Sequence, residues 1–182
     1  RNNLFIRRAI NATKGRYFRM LLVILCGVLH SVAVAQHQLP LRLLADTAVP
    51  KGQIPWRQPF PIKAANGEFN PGFTNTAWWL TTTIHNTDST GHHYKLVMNN
   101  PHINMLKLYR DGKNTAQCTT GDWLPFAQRP LKDRDFVFPV QIAAHDSVAI
   151  LLYVDKSNES LQLKVELYSD EAFEQMRHTQ NL

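Results

Sequence analysis

The chain has 182 residues, 44% of them hydrophobic, and a formal net charge of +6. That sign suggests nucleic acid or a membrane surface as partner, but its placement removes the suggestion. Residues 1–35 hold Arg1, Arg7, Arg8, Lys14, Arg16 and Arg19 and no carboxylate, which leaves 14 basic and 14 acidic residues in 36–182, a neutral body with no nucleic-acid signature.

The basic start runs into MLLVILCGVLHSVAVA, Met20 to Ala35, and closes on the small-residue pattern Ala33-Val34-Ala35. Positive charge, an apolar run and small residues in that order are the layout of a secretory signal peptide, with cleavage before Gln36. The alternative is an uncleaved anchor. Spanning a bilayer takes about 20 apolar residues, whereas this run is shorter and broken by His30. Cys26 sits inside the run, away from the cleavage point, which argues against lipid attachment. Beyond it only Cys118 remains. One cysteine makes no internal disulfide, so an exported body must hold together by its core, and it is long enough to do so.

From Gln36 to Phe73 the pattern is irregular. Leu39, Leu41 and Leu43 alternate as a first strand, and Ile54–Phe60 (IPWRQPF) reads as an edge strand or an extended wrap. Gly67, Pro71 and Gly72 predict a loop. Ala77–Asn86 (AWWLTTTIHN) is the clearest strand, with Trp78, Leu80, Thr82 and Ile84 on one face and Trp79, Thr81, Thr83 and His85 on the other. A polar loop, NTDSTGHH, follows. Tyr94–Asn99 and Ile103–Arg110 predict two more strands, and Asp111-Gly112 is a two-residue hairpin signal that turns Lys113–Thr119 back on Leu106–Arg110. FVFPVQI, SVAILLYVD and SLQLKVELY complete about eight strands. In the last, Leu161, Leu163, Val165 and Leu167 face inward.

Short strands with turns between them predict an all-β fold, an antiparallel two-sheet sandwich of jelly-roll kind. Trp78, Leu80, Ile84, Leu106, Leu108, Leu161, Leu163 and Val165 are its expected core. At Ser169 the period changes, with Ser169 or Asp170 placed to cap a helix over SDEAFEQM, either a terminal helix or the start of a stalk. The expected organisation is a signal peptide over 1–35, an N-terminal wrap and first strand over 36–72, the sandwich over 73–168 and a juxtamembrane segment over 169–182.

The stretch Thr120–Pro139, TGDWLPFAQRPLKDRDFVFP, is too rich in proline and charge for a central strand and too apolar for a solvated linker. It reads as a structured crossover, the kind of loop that carries binding residues. Trp79 and Trp123 are candidate stacking rings there and on the main strand, and Asp122 and Arg129 are candidate hydrogen-bonding groups for a ligand. Each has a plainer reading: a tryptophan plugs a core, and Arg129 satisfies loop carbonyls or pairs with Asp122. His85, His92, His93 and His102 lack zinc spacing, so no metal or other cofactor is expected. Asp133 and Asp135 alternate with Lys132 and Arg134, a salt-laced loop rather than a glycosidase pair. No nucleophile motif is present, so the chain does not read as an enzyme.

The ordered set AWWLTTTIHN, NPHINMLKLYRDG, TGDWLPFAQRP, FVFPVQI and LLYVDKS resembles the type 2 extracytoplasmic domain of bacterial seven-transmembrane receptors with diverse intracellular signalling modules. Trp79, Asn86, Leu108-Tyr109, Gly121-Asp122, Pro125-Phe126, Arg129-Pro130 and Phe136 fall where such domains carry their pattern. The resemblance implies a jelly-roll-like sensor for a carbohydrate-like or other small ligand, exported to the periplasmic or extracellular face of the cytoplasmic membrane. It also implies attachment to the membrane through segments beyond Leu182, with signal output lying there. The alternative is a structural or dimerisation module without its own ligand, forming a homodimer.

Overall fold

The computed structural model describes residues 36–180; the leader expected over 1–35 lies outside the described residues. Eleven strands precede one helix: β1 Gln36–Gln38, β2 Leu41–Ala45, β3 Ile62–Ala64, β4 Glu68–Thr74, β5 Trp78–His85, β6 His92–Met98, β7 Met105–Arg110, β8 Cys118–Thr120, β9 Phe136–Ile142, β10 Ser147–Asp155, β11 Glu159–Ser169 and α1 Asp170–Gln180.

They form two sheets. One runs β1-β11-β6-β9 with β4 also on β11; the other runs β3-β2-β5-β10-β7-β8. Every neighbouring pair is antiparallel. Strands β4–β11 supply four to each sheet, in the orders β4-β11-β6-β9 and β5-β10-β7-β8, and the chain changes sheet at each connection except the β7–β8 hairpin. That is jelly-roll order, as expected, with β1–β3 added as an N-terminal extension.

The core lies between the sheets because each strand sends alternate side chains inward. Leu80, Ile84, Leu106, Leu108, Ile150 and Val154 meet Leu96, Phe136, Phe138, Leu161, Leu163 and Val165 there, with Trp78 packed against them. Seven of the eight expected core residues are buried members of this cluster, and the eighth, Trp78, is partly buried against it. A turn forms at Asp111-Gly112, with both residues at positive φ (51° and 75°) and the Lys113 N–H on the Arg110 carbonyl at 2.9 Å. It does not close the expected two-residue hairpin: β8 begins only at Cys118, which pairs with Leu108.

Two elements differ from expectation. The Gly-Pro-Gly stretch taken for a loop is β4, which pairs with β11 across a register shift between Leu161 and Leu163. An edge strand tolerates Pro71 because no second neighbour needs its missing N–H. Gly67 admits this pairing: a Cβ there would lie 2.1 Å from the Val165 carbonyl oxygen. His92 and His93 begin β6 rather than ending a loop. The segment Ile54–Phe60 forms no strand and is a wrap.

The outward faces have separate covers. Val49, Ile54, Trp56 and Phe60 of the wrap close over Leu44, Trp79, Tyr109 and Leu151 of the six-stranded sheet. Helix α1 lays Ala172 and Phe173 over Val97, Val137 and Tyr168 of the five-stranded sheet. The helix starts where the acidic pair Asp170-Glu171 suits its positive end, and Ser169 Oγ accepts from the Ala172 N–H at 3.2 Å. No helix among the described residues is long and apolar enough to cross a membrane.

Candidate functional site

The crossover loop between β8 and β9 begins with a turn that only glycine can make. Gly121 has φ 144°, and a Cβ on it would lie 2.3 Å from the Asn104 carbonyl oxygen. That close approach lets the Asp122 N–H donate to the Ile103 carbonyl at 2.8 Å and the Trp123 N–H to the Asn104 carbonyl at 3.2 Å. The loop is thereby stitched to the turn before β7.

Arg129 ties the rest. Its Nη1 donates to the carbonyls of Asp133 (3.0 Å) and Arg134 (2.5 Å), and its Nη2 donates to the Pro101 carbonyl and to Asp122 Oδ1, both at 3.2 Å. Four of the fork's five N–H groups are thus used within the protein. The guanidinium lies 4.1 Å from the Phe136 ring centre and 5.1 Å from that of Phe126, and its side chain is only 8% exposed. Asp122 also accepts from His102 Nδ1 at 3.3 Å. The structure therefore brings Asp122 and Arg129 together as a brace, the plainer of the two sequence readings. Trp123 stands at the tip of the same loop, 65% exposed.

Trp79 is elsewhere. It is 4% exposed, sits beneath the wrap, and donates its indole N–H to Asp46 Oδ1 at 2.6 Å. Its ring packs edge-on to Tyr153 with centroids 4.9 Å apart. An outward-facing position on β5 does not make it a surface ring, because another segment of the chain covers it.

An open groove of about 650 Å³ lies on the outward face of the five-stranded sheet. One wall is Glu68, Phe69 and Asn70 of β4; another is the turn Asn99-Asn100-Pro101; the floor is Ser160, Gln162, Leu163 and Lys164 of β11. The Asn99 N–H donates to the Lys164 carbonyl at 2.9 Å, and Asn100 Nδ2 donates to the Gln162 carbonyl at 2.8 Å, so the turn is fastened to the floor. From below, Lys156 Nζ donates to the His102 carbonyl at 2.8 Å and pairs with Glu159. That hydrogen bond holds the Glu159 carboxyl below its ordinary pKa, with a further bond from Asn104. Pro101, a lining residue, is the one whose carbonyl Arg129 holds, so the loop brace is also the groove's support.

Lys164 is the single cation of the lining. Its ammonium lies 2.8 Å from Glu166 Oε1 and 3.9 Å from Glu68 Oε1, and the Glu166 hydrogen bond raises its pKa. Beside the groove, Phe73 is 71% exposed and pairs in register with Ser160, which puts its ring on the groove's side of the sheet.

The two loop carboxylates considered as a catalytic pair have separate structural roles. Asp133 Oδ2 lies 3.3 Å from Arg177 Nε on α1, while its Oδ1 accepts from the Asp135 N–H at 3.1 Å. Asp135 is buried with Oδ1 unpartnered, and desolvation raises its pKa against the pull of Arg134. Among the described residues no group of three or more His, Cys, Asp or Glu side chains is arranged to hold a metal ion.

None of the groove residues was a sequence candidate. The available signals were the polar outward alternation Gln162, Lys164 on the last strand and the Asn-Asn-Pro turn. Nothing local says that these meet β4.

The fold is that of an antiparallel jelly-roll β-sandwich with an open, largely polar groove on one sheet. The chain belongs to the 7TMR-DISM extracellular 2 family, whose sequence profile matches residues 45–169. It is accordingly an extracellular domain of a membrane receptor. No curated protein matches the chain. Among solved structures it is similar to the enzymatically active domain of tailspike protein 4 from Bacteriophage CBA120, at 10% identity and a TM-score of 0.31, over 75% of this chain. The match spans 19% of that chain's length.

Proposed function

We propose that this domain senses a hydroxyl-rich, carbohydrate-like small ligand for a bacterial signalling receptor, and that the ligand occupies the groove between β4, the Asn99–Pro101 turn and β11. The lining carries the reading. Asn70, Asn99, Asn100 and Gln162 offer amides that both donate and accept, the pairing that vicinal hydroxyls need, and Ser160 adds a hydroxyl. Phe73 supplies an exposed ring at the rim for a sugar face. Asp122 and Arg129 serve the site by holding the Pro101 wall, and Trp123 is a second exposed ring at the loop tip. The domain binds without turnover, and export by the leader places it on the periplasmic or outer face of the cytoplasmic membrane.

The test is a thermal-shift screen against a glycan panel. A ligand at 100 times its Kd stabilises the fold by about 2.7 kcal/mol, a rise of about 5–11 °C for a chain of this size. Gln162→Ala and Phe73→Ala should remove that rise while leaving the unliganded Tm in place. No response across the panel, together with a tight dimer by light scattering, would replace this reading with a dimerisation module.

A further inference from the structure

The geometry points to a mechanical link in which Arg129 and Asp133 couple the Asn99–Pro101 wall of the groove to the far end of α1, with Asp133 as the breakable joint. The inference rests on the groove being the ligand site.

The contacts are continuous. Pro101 lines the groove and its carbonyl accepts from Arg129 Nη2 at 3.2 Å; Arg129 Nη1 donates to the Asp133 carbonyl at 3.0 Å; Asp133 Oδ2 reaches Arg177 Nε at 3.3 Å. Arg177 in turn lies over the ring of Phe173, 5.6 Å from its centre, and Phe173 is buried against the sheet. Such a chain of hydrogen bonds and packed rings carries coupling when one of its links has two arrangements.

The ends of α1 are held unequally. Its first residue follows β11 without a break, Ser169 caps it, and Asp170 Oδ1 accepts from Lys95 Nζ at 2.7 Å. The far end depends on Met176 and Leu131 and on the Asp133–Arg177 pair. Around that pair a small depression of about 180 Å³ is lined by Lys132, Asp133, Arg134, Arg177 and Gln180. Asp133 is the only carboxylate of that lining, and of its three cations Arg134 is also held by Asp135 Oδ2 at 3.6 Å. If Asp133 turns away, Arg177 loses its partner on the loop and is left beside Lys132, and the helix end is released from the loop.

Arg129 and Asp133 differ in firmness. Arg129 makes four hydrogen bonds at 8% exposure, so it moves with its loop as one body. Arg177 is 39% exposed, and an ion pair with that much water contact is weak enough to open and close. A displaced groove wall therefore reaches the helix through a stiff lever and a soft joint. By linkage, a change at the helix must be felt equally at the wall.

Hydrogen exchange on the full 182-residue chain tests this without any ligand. In Arg177→Gln, amides of the last turn of α1 and of Asn99–Ile103 should both exchange faster, by about two- to five-fold, the range an ion pair of this exposure supports. Asp133→Asn should give the same pattern, and the double variant should add little to either single one. Glu171→Gln, on the same helix but six residues from Arg177 and on another face, should leave Asn99–Ile103 unchanged. Faster exchange confined to α1 in Arg177→Gln, or fully additive effects in the double variant, would overturn the link. Because no ligand enters, that failure is distinct from a glycan panel that fails to bind.

Discussion

The two sheets treat their outward faces in opposite ways. On the six-stranded sheet, Trp79, Leu44, Tyr109 and Leu151 would form a broad apolar patch, and the chain closes it with its own N-terminal wrap. On the five-stranded sheet the covered part is the apolar patch under α1, while the part left open is lined mainly by amides, hydroxyls and a compensated Lys164. Exposed apolar area costs free energy, so a segment that covers it is favoured. Polar area gains nothing from a cover and stays available. A tryptophan on an outward strand position is therefore a poor sign of a binding face, and a polar, fastened depression is a better one.

The largest expected effect breaks the covered side. Trp79→Ala removes the ring at the centre of the wrap and orphans the Asp46 hydrogen bond, so urea denaturation should show a loss of about 3–5 kcal/mol. A loss below about 1 kcal/mol would mean that the wrap is not a second core. Next is the brace: Arg129→Ala strands the Pro101, Asp133 and Arg134 carbonyls and Asp122, and should cost about 2–3 kcal/mol in the same measurement. An unchanged midpoint would make Arg129 a ligand group rather than a support. On the open side the comparison predicts near silence. Gln162→Ala and Phe73→Ala should each change stability by less than about 0.5 kcal/mol, because neither side chain is buried.

The smallest effect is a pH dependence at the loop's end. Burial raises the Asp135 pKa in the fold, opposed by Arg134 and Arg129 and reinforced by Asp133. The fold thus favours the protonated acid. Below the ordinary carboxylate range both folded and unfolded chains are protonated and Asp135 costs nothing. As pH rises through that range to the raised folded value, wild type loses stability relative to Asp135→Asn, and above it the difference is constant. Denaturation midpoints of the two proteins across acidic pH measure this, and parallel curves would remove the buried-acid reading.

Much of the sandwich is legible in the sequence. Alternation of Leu161, Leu163, Val165 and Leu167, and of Trp78, Leu80, Thr82 and Ile84, names the inward face of a strand because the pleat has a period of two. Asp111-Gly112 names its turn, though not the register of β7 with β8, because both residues tolerate positive φ, and Ser169 names the helix start because its hydroxyl suits an unpaired N–H. The brace was legible as an alternative, since Arg129 and Asp122 share one loop. These are local properties, set by neighbours a few residues apart.

The tertiary structure alone decided what meets across distance. Strand β4 is hidden in the sequence by Pro71 and Gly72, and it exists because β11 offers an edge that needs no donor from Pro71. Trp79 is buried by a wrap that reaches from Val49 to Phe60, which no periodicity within β5 records. The groove joins residues near 70, 100 and 162, three segments whose polar side chains look like ordinary solvated positions when each is read alone. Sequence pattern determines which way a side chain points from its own strand; only the packing of other segments determines whether water, protein or a ligand-sized space lies beyond it.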